Sequence, residues 1–251
     1  MEHNVTQKQV LDLATNIGYY IIKNGGEIHR AEDTARRVGM AYGMDAVHVF
    51  AIASSIVITV VKDENTLTQT RRVKASVTNL DKIERLNELS RTICAESLSY
   101  EEVLKKVREI EGMRRYPTWV MILAYGIIGG AYTAFFGGNL TDVAFGFVAG
   151  IVAKLAMMSF GFVKTAPFLI NVVGAASIVT VLKLSTLFMP GLQTEVITAG
   201  VLMNLVPGVL LTNCIRDFIA TDYTAGTIKM VEAFFTAASI ALGVAVSVLW
   251  R

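Results

Sequence analysis

From Thr6 to Lys23 the apolar residues Val10, Leu13, Ala14, Ile17 and Ile21 fall three and four positions apart, which places them on one side of a helix that Gly25-Gly26 then stops. A second helix is expected over 27–42. Residues 47–61, rich in Val, Ile, Ser and Thr, read as one strand; polar Lys62-Asp63-Glu64-Asn65 separates it from a second over 66–73, which makes a β-hairpin. Two more helices are expected, over 80–95 and from the capping box Ser99 to Glu102 as far as about Ile110. Beyond Pro117 the alternation of apolar and polar positions disappears. Five apolar stretches follow, over 118–136, 143–162, 167–188, 196–215 and 228–250. At 1.5 Å per residue each reaches roughly 29 to 35 Å, enough for a hydrocarbon core of about 30 Å.

The expected fold is therefore an α-helical integral membrane protein of about five transmembrane helices with a small N-terminal α+β cytoplasmic domain. The boundary is set at 1–115 and 116–251. Charge sharpens it: residues 1–117 hold 17 of the 23 Lys and Arg and 16 of the 21 Asp and Glu. A formal charge of +2, with bases and acids evenly mixed, offers no nucleic-acid groove. The two cysteines have neither metal-ligand spacing nor a disulfide framework, and the three histidines all precede residue 49, which leaves the apolar half without a histidine proton relay. No charged segment followed by an apolar one opens the chain, so the first membrane helix is expected to direct insertion.

Orientation follows from the loops. Residues 137–141 and 190–194 carry no Lys or Arg, whereas Arg114, Arg115, Lys164, Arg216 and Lys229 flank the opposite side. The expected location is the inner cell membrane, in contact with lipid, with the N-terminus cytoplasmic and Arg251 outside.

Polar groups inside apolar stretches mark the candidate site. Asn204-Leu205-Val206-Pro207-Gly208 lies near the middle of the fourth stretch, where proline removes a backbone donor and clashes with the preceding turn, so a local break is expected. Carbonyls released by such a break bind solute in discontinuous helices, although a packing kink is the plain alternative. Gly200, Asn204, Gly208, Thr212 and Arg216 recur every fourth residue and would form one stripe; close helix packing explains its glycines, as it does Gly126 with Gly130 and Gly146 with Gly150. Lys154, within the second stretch, costs at least about 2.5 kcal/mol to insert, and contacts either a solute or, by snorkelling, the membrane surface. Asn171, Asn204 and Asn213 could bind a carboxylate or ammonium, or hydrogen-bond between helices. Arg216-Asp217 closes the fourth stretch as a candidate gate or ion-coupling pair, or as a solvated helix end.

The candidate site is thus Lys154, Asn171, Asn204, Pro207, Gly208 and Asn213 for solute, with Arg216 and Asp217 for gating or coupling. Asp142 and Glu195 are further carboxylates placed to couple protons near the membrane ends. Glu27, His29 and Asp33 do not all share one helix face, and no metal or other cofactor is expected. Nucleophile elbows, phosphate loops and dinucleotide fingerprints are absent, so the chain does not read as an enzyme.

Taken in order, Gly25-Gly26-Glu27 with Glu32, Tyr42-Gly43-Met44-Asp45, Val61-Lys62-Asp63, Thr70-Arg71, Asn79-Leu80, Arg115-Tyr116-Pro117, Leu205-Val206-Pro207-Gly208, and Asn213 with Arg216-Asp217 resemble the threonine/serine exporter family. The likeness is to the stand-alone N-terminal half of its split, two-subunit bacterial members. That resemblance implies a secondary transporter subunit exporting serine- or threonine-like amino acids, or dicarboxylates such as succinate. It also implies a second, smaller membrane subunit, with a homo-oligomer as the other assembly. The alternatives are a membrane-anchored enzyme or sensor whose soluble domain is the active part, and a structural assembly subunit.

Overall fold

The structure is a computed structural model describing residues 5–74, 77–96, 98–113, 116–161 and 167–249. Arg114, Arg115, Lys164 and Arg251, used above for orientation, lie outside the described residues. The chain forms two compact units: Met1–Arg114 with Thr212–Ile228, and Arg115–Leu211 with Lys229–Arg251.

The first unit opens with α1 (Gln7–Lys23), started by a reciprocal capping box between Thr6 and Gln9. Its apolar stripe Val10, Leu13, Ala14, Ile17 and Ile21 is 0% exposed throughout, so the helical spacing read from the sequence is the spacing that is buried. Gly25 takes φ +79°, and Gly26 N–H returns to the Ile21 carbonyl (2.9 Å), which ends the helix and redirects the chain into α2 (Ile28–Ala41).

The segment read as one strand is two. β1 (Ala46–Ile52) and β2 (Ser55–Lys62) pair antiparallel around a turn at Ala53-Ser54, and β3 (Asn65–Arg72) pairs with β2, giving a three-stranded meander in place of the expected hairpin. No Gly, Pro, Asn or Asp marks the first turn, which is why it is silent in the sequence. The second is audible: Asp63 and Glu64 both have positive φ, as a two-residue type I′ turn requires. Ile56, Ile58 and Val60 on β2 are fully buried against the helices, each worth about 1.5–3 kcal/mol in transfer free energy.

α3 (Leu80–Glu96) and α4 (Tyr100–Gly112) follow, the latter with the expected Ser99–Glu102 capping box. Glu111 at the end of α4 gathers Lys23 Nζ (2.7 Å), Asn24 Nδ2 (3.2 Å) and Lys82 Nζ (3.7 Å). Burial opposes its charge, but these partners outweigh burial and hold the carboxyl below the usual glutamate range. A group lowered in this way stabilises the fold above its unfolded pKa and loses that contribution as pH falls through its folded pKa. Glu111→Gln is therefore expected to lower stability by about 1 kcal/mol at neutral pH, the partly exposed Lys23 tempering the value. Circular-dichroism melts of the full chain should show the gap closing as the pH falls through the lowered pKa of Glu111.

The second unit has the reverse surface pattern. In α5 (Thr118–Phe135) the buried residues are Gly126, Gly129, Gly130 and Thr133, and in α6 (Leu140–Gly161) they are Asp142, Gly146, Ala149, Gly150 and Ala153. Large apolar side chains such as Phe135, Leu140, Leu155 and Phe160 are exposed, the arrangement expected where lipid is the solvent and small residues let helices approach. α7 (Pro167–Thr186) and α10 (Tyr223–Leu249) complete four helices long and apolar enough to cross a membrane among the described residues.

The fifth expected span is not a single helix. Residues 196–215 are divided between α8 (Thr194–Leu202) and α9 (Gly208–Ile219), each too short to cross alone. The break falls over 203–207, where proline was expected to make it. Its consequence is that the stripe from Gly200 to Arg216 is not one continuous face.

Candidate functional site

The geometry begins with glycine. A Cβ on Gly150 would stand 2.3 Å from the Tyr125 carbonyl oxygen, so α6 reaches the α5 backbone only because Gly150 has no side chain. Gly129 and Gly146 make the same close approach one turn further along, and Thr133 Oγ1 is satisfied by the Gly129 carbonyl (2.7 Å). Gly200 of α8 packs on Thr133, where a Cβ would lie 2.5 Å from the backbone nitrogen. Gly146, Gly150 and Gly200 occupy the packing role expected of them, whereas Gly208, expected in the same stripe as Gly200, has nothing within 4 Å of its Cβ position.

One turn beyond Gly150 on the same helix face, Lys154 places its Nζ 4.5 Å from the centroid of the Tyr125 ring. Its side chain is half-buried. From the other direction, Asn204 at the helix break donates Nδ2 to the Tyr125 carbonyl (3.3 Å) and to the Val201 carbonyl (3.1 Å). Tyr125 thus joins Lys154 to Asn204: its ring lies under one and its carbonyl binds the other.

The backbone at the break is tied by short-range bonds. Leu202 closes α8 by accepting from Leu205 N–H (2.8 Å) and Val206 N–H (3.2 Å), Pro207 has no N–H, and Gly208 N–H turns to Val206 (2.8 Å). Asn204 Oδ1 is buried and accepts no hydrogen bond among the described residues. Buried amide oxygens almost always have a donor, which sets this one apart from its neighbours in the membrane unit. Gly208 has open space where a Cβ would go.

Asn171 is half-buried near the start of α7, and no hydrogen bond among the described residues ties it to Lys154 or Asn204. Asn213, Arg216 and Asp217 belong to the first unit. There Arg216 pairs through Nη1 with Glu27 Oε1, a residue 189 positions earlier. Glu27 is the N-cap of α2 and only 7% exposed; its Oε2 also faces His29 Nε2 (3.4 Å) and Arg30 Nε (3.6 Å). Glu27 thus ties the start of α2 to Arg216 on α9. Asp217 is 1% exposed, so it does not stand as a solvated end beside Arg216. Its backbone carbonyl accepts from Asp222 N–H (2.9 Å) in the turn between α9 and α10.

Asp142 has a structural position. It exchanges hydrogen bonds with Asn139 at the start of α6 (3.0 Å each way) and accepts from the backbone and side-chain amides of Gln193 at the start of α8 (3.0 Å each). Those partners hold two helix N-termini together. Lys183 donates to the Ser247 and Val248 carbonyls in the last turn of α10 (2.7 and 3.1 Å).

Sequence reasoning missed Tyr125 and the partner of Arg216. The first had a signal: a tyrosine in mid-span is out of place, because its hydroxyl favours the membrane interface. The second had none, since nothing local links residue 27 to residue 216.

A family profile described as "Putative threonine/serine exporter" matches residues 12–249. Among curated proteins, the "Probable succinate transporter subunit YjjP" of Klebsiella aerogenes is 26% identical, over 97% of this chain and 95% of the relative. The protein of the same name from Escherichia coli is 25% identical, over 97% and 96% respectively. A "Probable threonine/serine exporter" of Mycobacterium tuberculosis is 22% identical over 96% of this chain but only 46% of its own length. No solved structure matches the chain.

Proposed function

The chain belongs to the threonine/serine exporter family, and from that premise we propose that it is one subunit of a secondary transporter that exports small polar metabolites. The substrate class is amino acids of the serine and threonine kind or dicarboxylates such as succinate, the two kinds of solute in the relatives' names. The relatives named as a transporter subunit match over nearly their whole length, which supports a second membrane subunit as partner. Residues 1–115 are the cytoplasmic domain and 116–251 the membrane domain, with the N-terminus inside and the C-terminus outside. The chain carries solute and is not an enzyme.

The observation that carries this reading is Asn204 at the break between α8 and α9, its buried Oδ1 without a hydrogen bond among the described residues and its amide bound to the carbonyl of the residue whose ring Lys154 covers. A substrate carboxylate would meet the Lys154 ammonium, and the hydroxyl or ammonium of a serine- or threonine-like substrate would donate to Asn204 Oδ1, which accepts from none of the described residues. Pro207 and Gly208 let the two half-helices move independently about the break, which alternating access requires. Asn171 and Asn213 are further solute-binding candidates, and Arg216 and Asp217 are the candidates for gating or ion coupling.

The test is efflux of labelled serine, threonine and succinate from liposomes holding the purified chain, alone and with its partner subunit, with and without a pH gradient. Export of at least one solute is expected, faster with the gradient. No export of any of the three under either condition would remove the transport reading.

A further inference from the structure

We propose that the first unit contains a binding site for a small dianionic oxyanion, of the phosphate or dicarboxylate kind, between α2 and α3. Arg30, Thr34 and Arg37 recur every third or fourth residue on α2, and Asn87, Ser90 and Arg91 do so on α3, so each set lies on one helix face. The two faces line a cavity of 470 Å³, within the range of small-molecule sites.

The polar groups in this cavity are under-used by the protein. Thr34 and Ser90 are 7% and 5% exposed, yet neither hydroxyl makes a hydrogen bond among the described residues. Both hydroxyl oxygens keep access to solvent, and both residues line a cavity rimmed by guanidinium groups, where an occupant can accept from them. Arg91 has no ion-pair partner among the described residues, Arg30 contacts Glu27 through Nε, and Arg37 binds Asp33 through Nε (2.7 Å). The terminal nitrogens of Arg30 and Arg37 remain available for the paired N–H contacts that carboxylate and phosphate oxygens accept.

The charge balance selects the ligand. Three arginines and one carboxylate, Asp33, line the cavity and leave two positive charges for an occupant to neutralise. Asp33 itself is held by Arg36 (2.9 Å) and Arg37. Burial pushes its carboxyl up, but those two hydrogen bonds and charges outweigh burial and keep it ionised below the usual aspartate range. A cation would meet this positive field, and a neutral solute would leave it uncompensated. A compact dianion with several acceptor oxygens satisfies the guanidiniums, the Asn87 amide and both hydroxyls together.

Cys94 lines the same cavity and is exposed, whereas Cys214, the other cysteine, is buried. The rate at which an uncharged maleimide labels Cys94 in the full-length protein therefore reports occupancy. Inorganic phosphate and succinate are tested separately against chloride at equal ionic strength. The expected result is saturable protection by at least one of them, approaching about tenfold at ten times its Kd, with the protecting anion naming the source. In Arg91→Gln the concentration giving half protection should rise about tenfold or more, because one charge-assisted contact is lost. Arg91 is exposed, and Cys214 remaining unlabelled verifies that the variant is folded. If Cys214 does react in that variant, Ser90→Ala takes its place with the same expectation of weakened protection. Labelling indifferent to both anions overturns the proposal, as does protection of equal midpoint in the variants.

Discussion

Lys154→Met should reduce efflux about 10- to 100-fold while leaving the protein at least as stable as the parent. The reduction corresponds to one charge-assisted contact with the solute, roughly 1.5–3 kcal/mol. The stability follows from the opposite effect in the empty protein: a lysine within a membrane span costs at least about 2.5 kcal/mol, and methionine has no such cost. A merely structural lysine behaves differently, since its removal lowers stability and efflux together. Paired measurement of liposome efflux and thermal unfolding separates the two. Lys154→Arg keeps the charge and should keep a larger share of transport; loss of stability in Lys154→Met with unchanged transport per folded molecule would assign Lys154 to packing over the Tyr125 ring.

Gly150→Val should destabilise the membrane unit by about 3 kcal/mol or more. The atoms its Cβ would strike are backbone: Tyr125 O at 2.3 Å, Tyr125 C at 2.9 Å and Gly126 Cα at 3.1 Å. Backbone cannot rotate away as a flexible side chain can, so α5 and α6 must separate. Separation also moves the Tyr125 carbonyl that Asn204 binds and the ring beneath Lys154, so any protein that survives should transport poorly. Gly161→Ala in the same helix is the comparison, because nothing lies within 4 Å of its Cβ position. Yield and melting temperature in detergent should be unchanged there and sharply lower for Gly150→Val. Equal behaviour of the two variants would mean that the α5–α6 seam tolerates the extra volume.

Most of the local structure was legible because it has local causes. The stripe from Val10 to Ile21 is a helix face in the sequence and a fully buried one in the fold, since hydrophobic spacing and burial share one geometric period. The Ser99–Glu102 capping box and the glycine stop after α1 carry their own hydrogen-bond chemistry within four or five residues. Pro207 announced the break because the missing N–H is a property of the residue itself. The Ala53-Ser54 turn was not announced, as neither residue prefers a turn strongly, and the sheet gained a strand that the composition had hidden.

Sequence alone showed which stretches are apolar, roughly where the amphipathic helices of the first half lie, and that a lysine and several asparagines interrupt the apolar half, but it counted five spans where the described residues hold four long helices and a broken pair. Each of these depends on chemistry spread over a few neighbouring residues. Only the tertiary structure decided that Tyr125 stands between Lys154 and Asn204, and that Glu27 binds Arg216 from 189 positions away. It alone placed Asp142 between the helix ends at Asn139 and Gln193. The physical reason is the range of the causes. Hydrogen-bond caps and hydrophobic periods act along the chain, whereas a buried charge or amide takes whatever partner the packing of distant helices brings within about 3 Å.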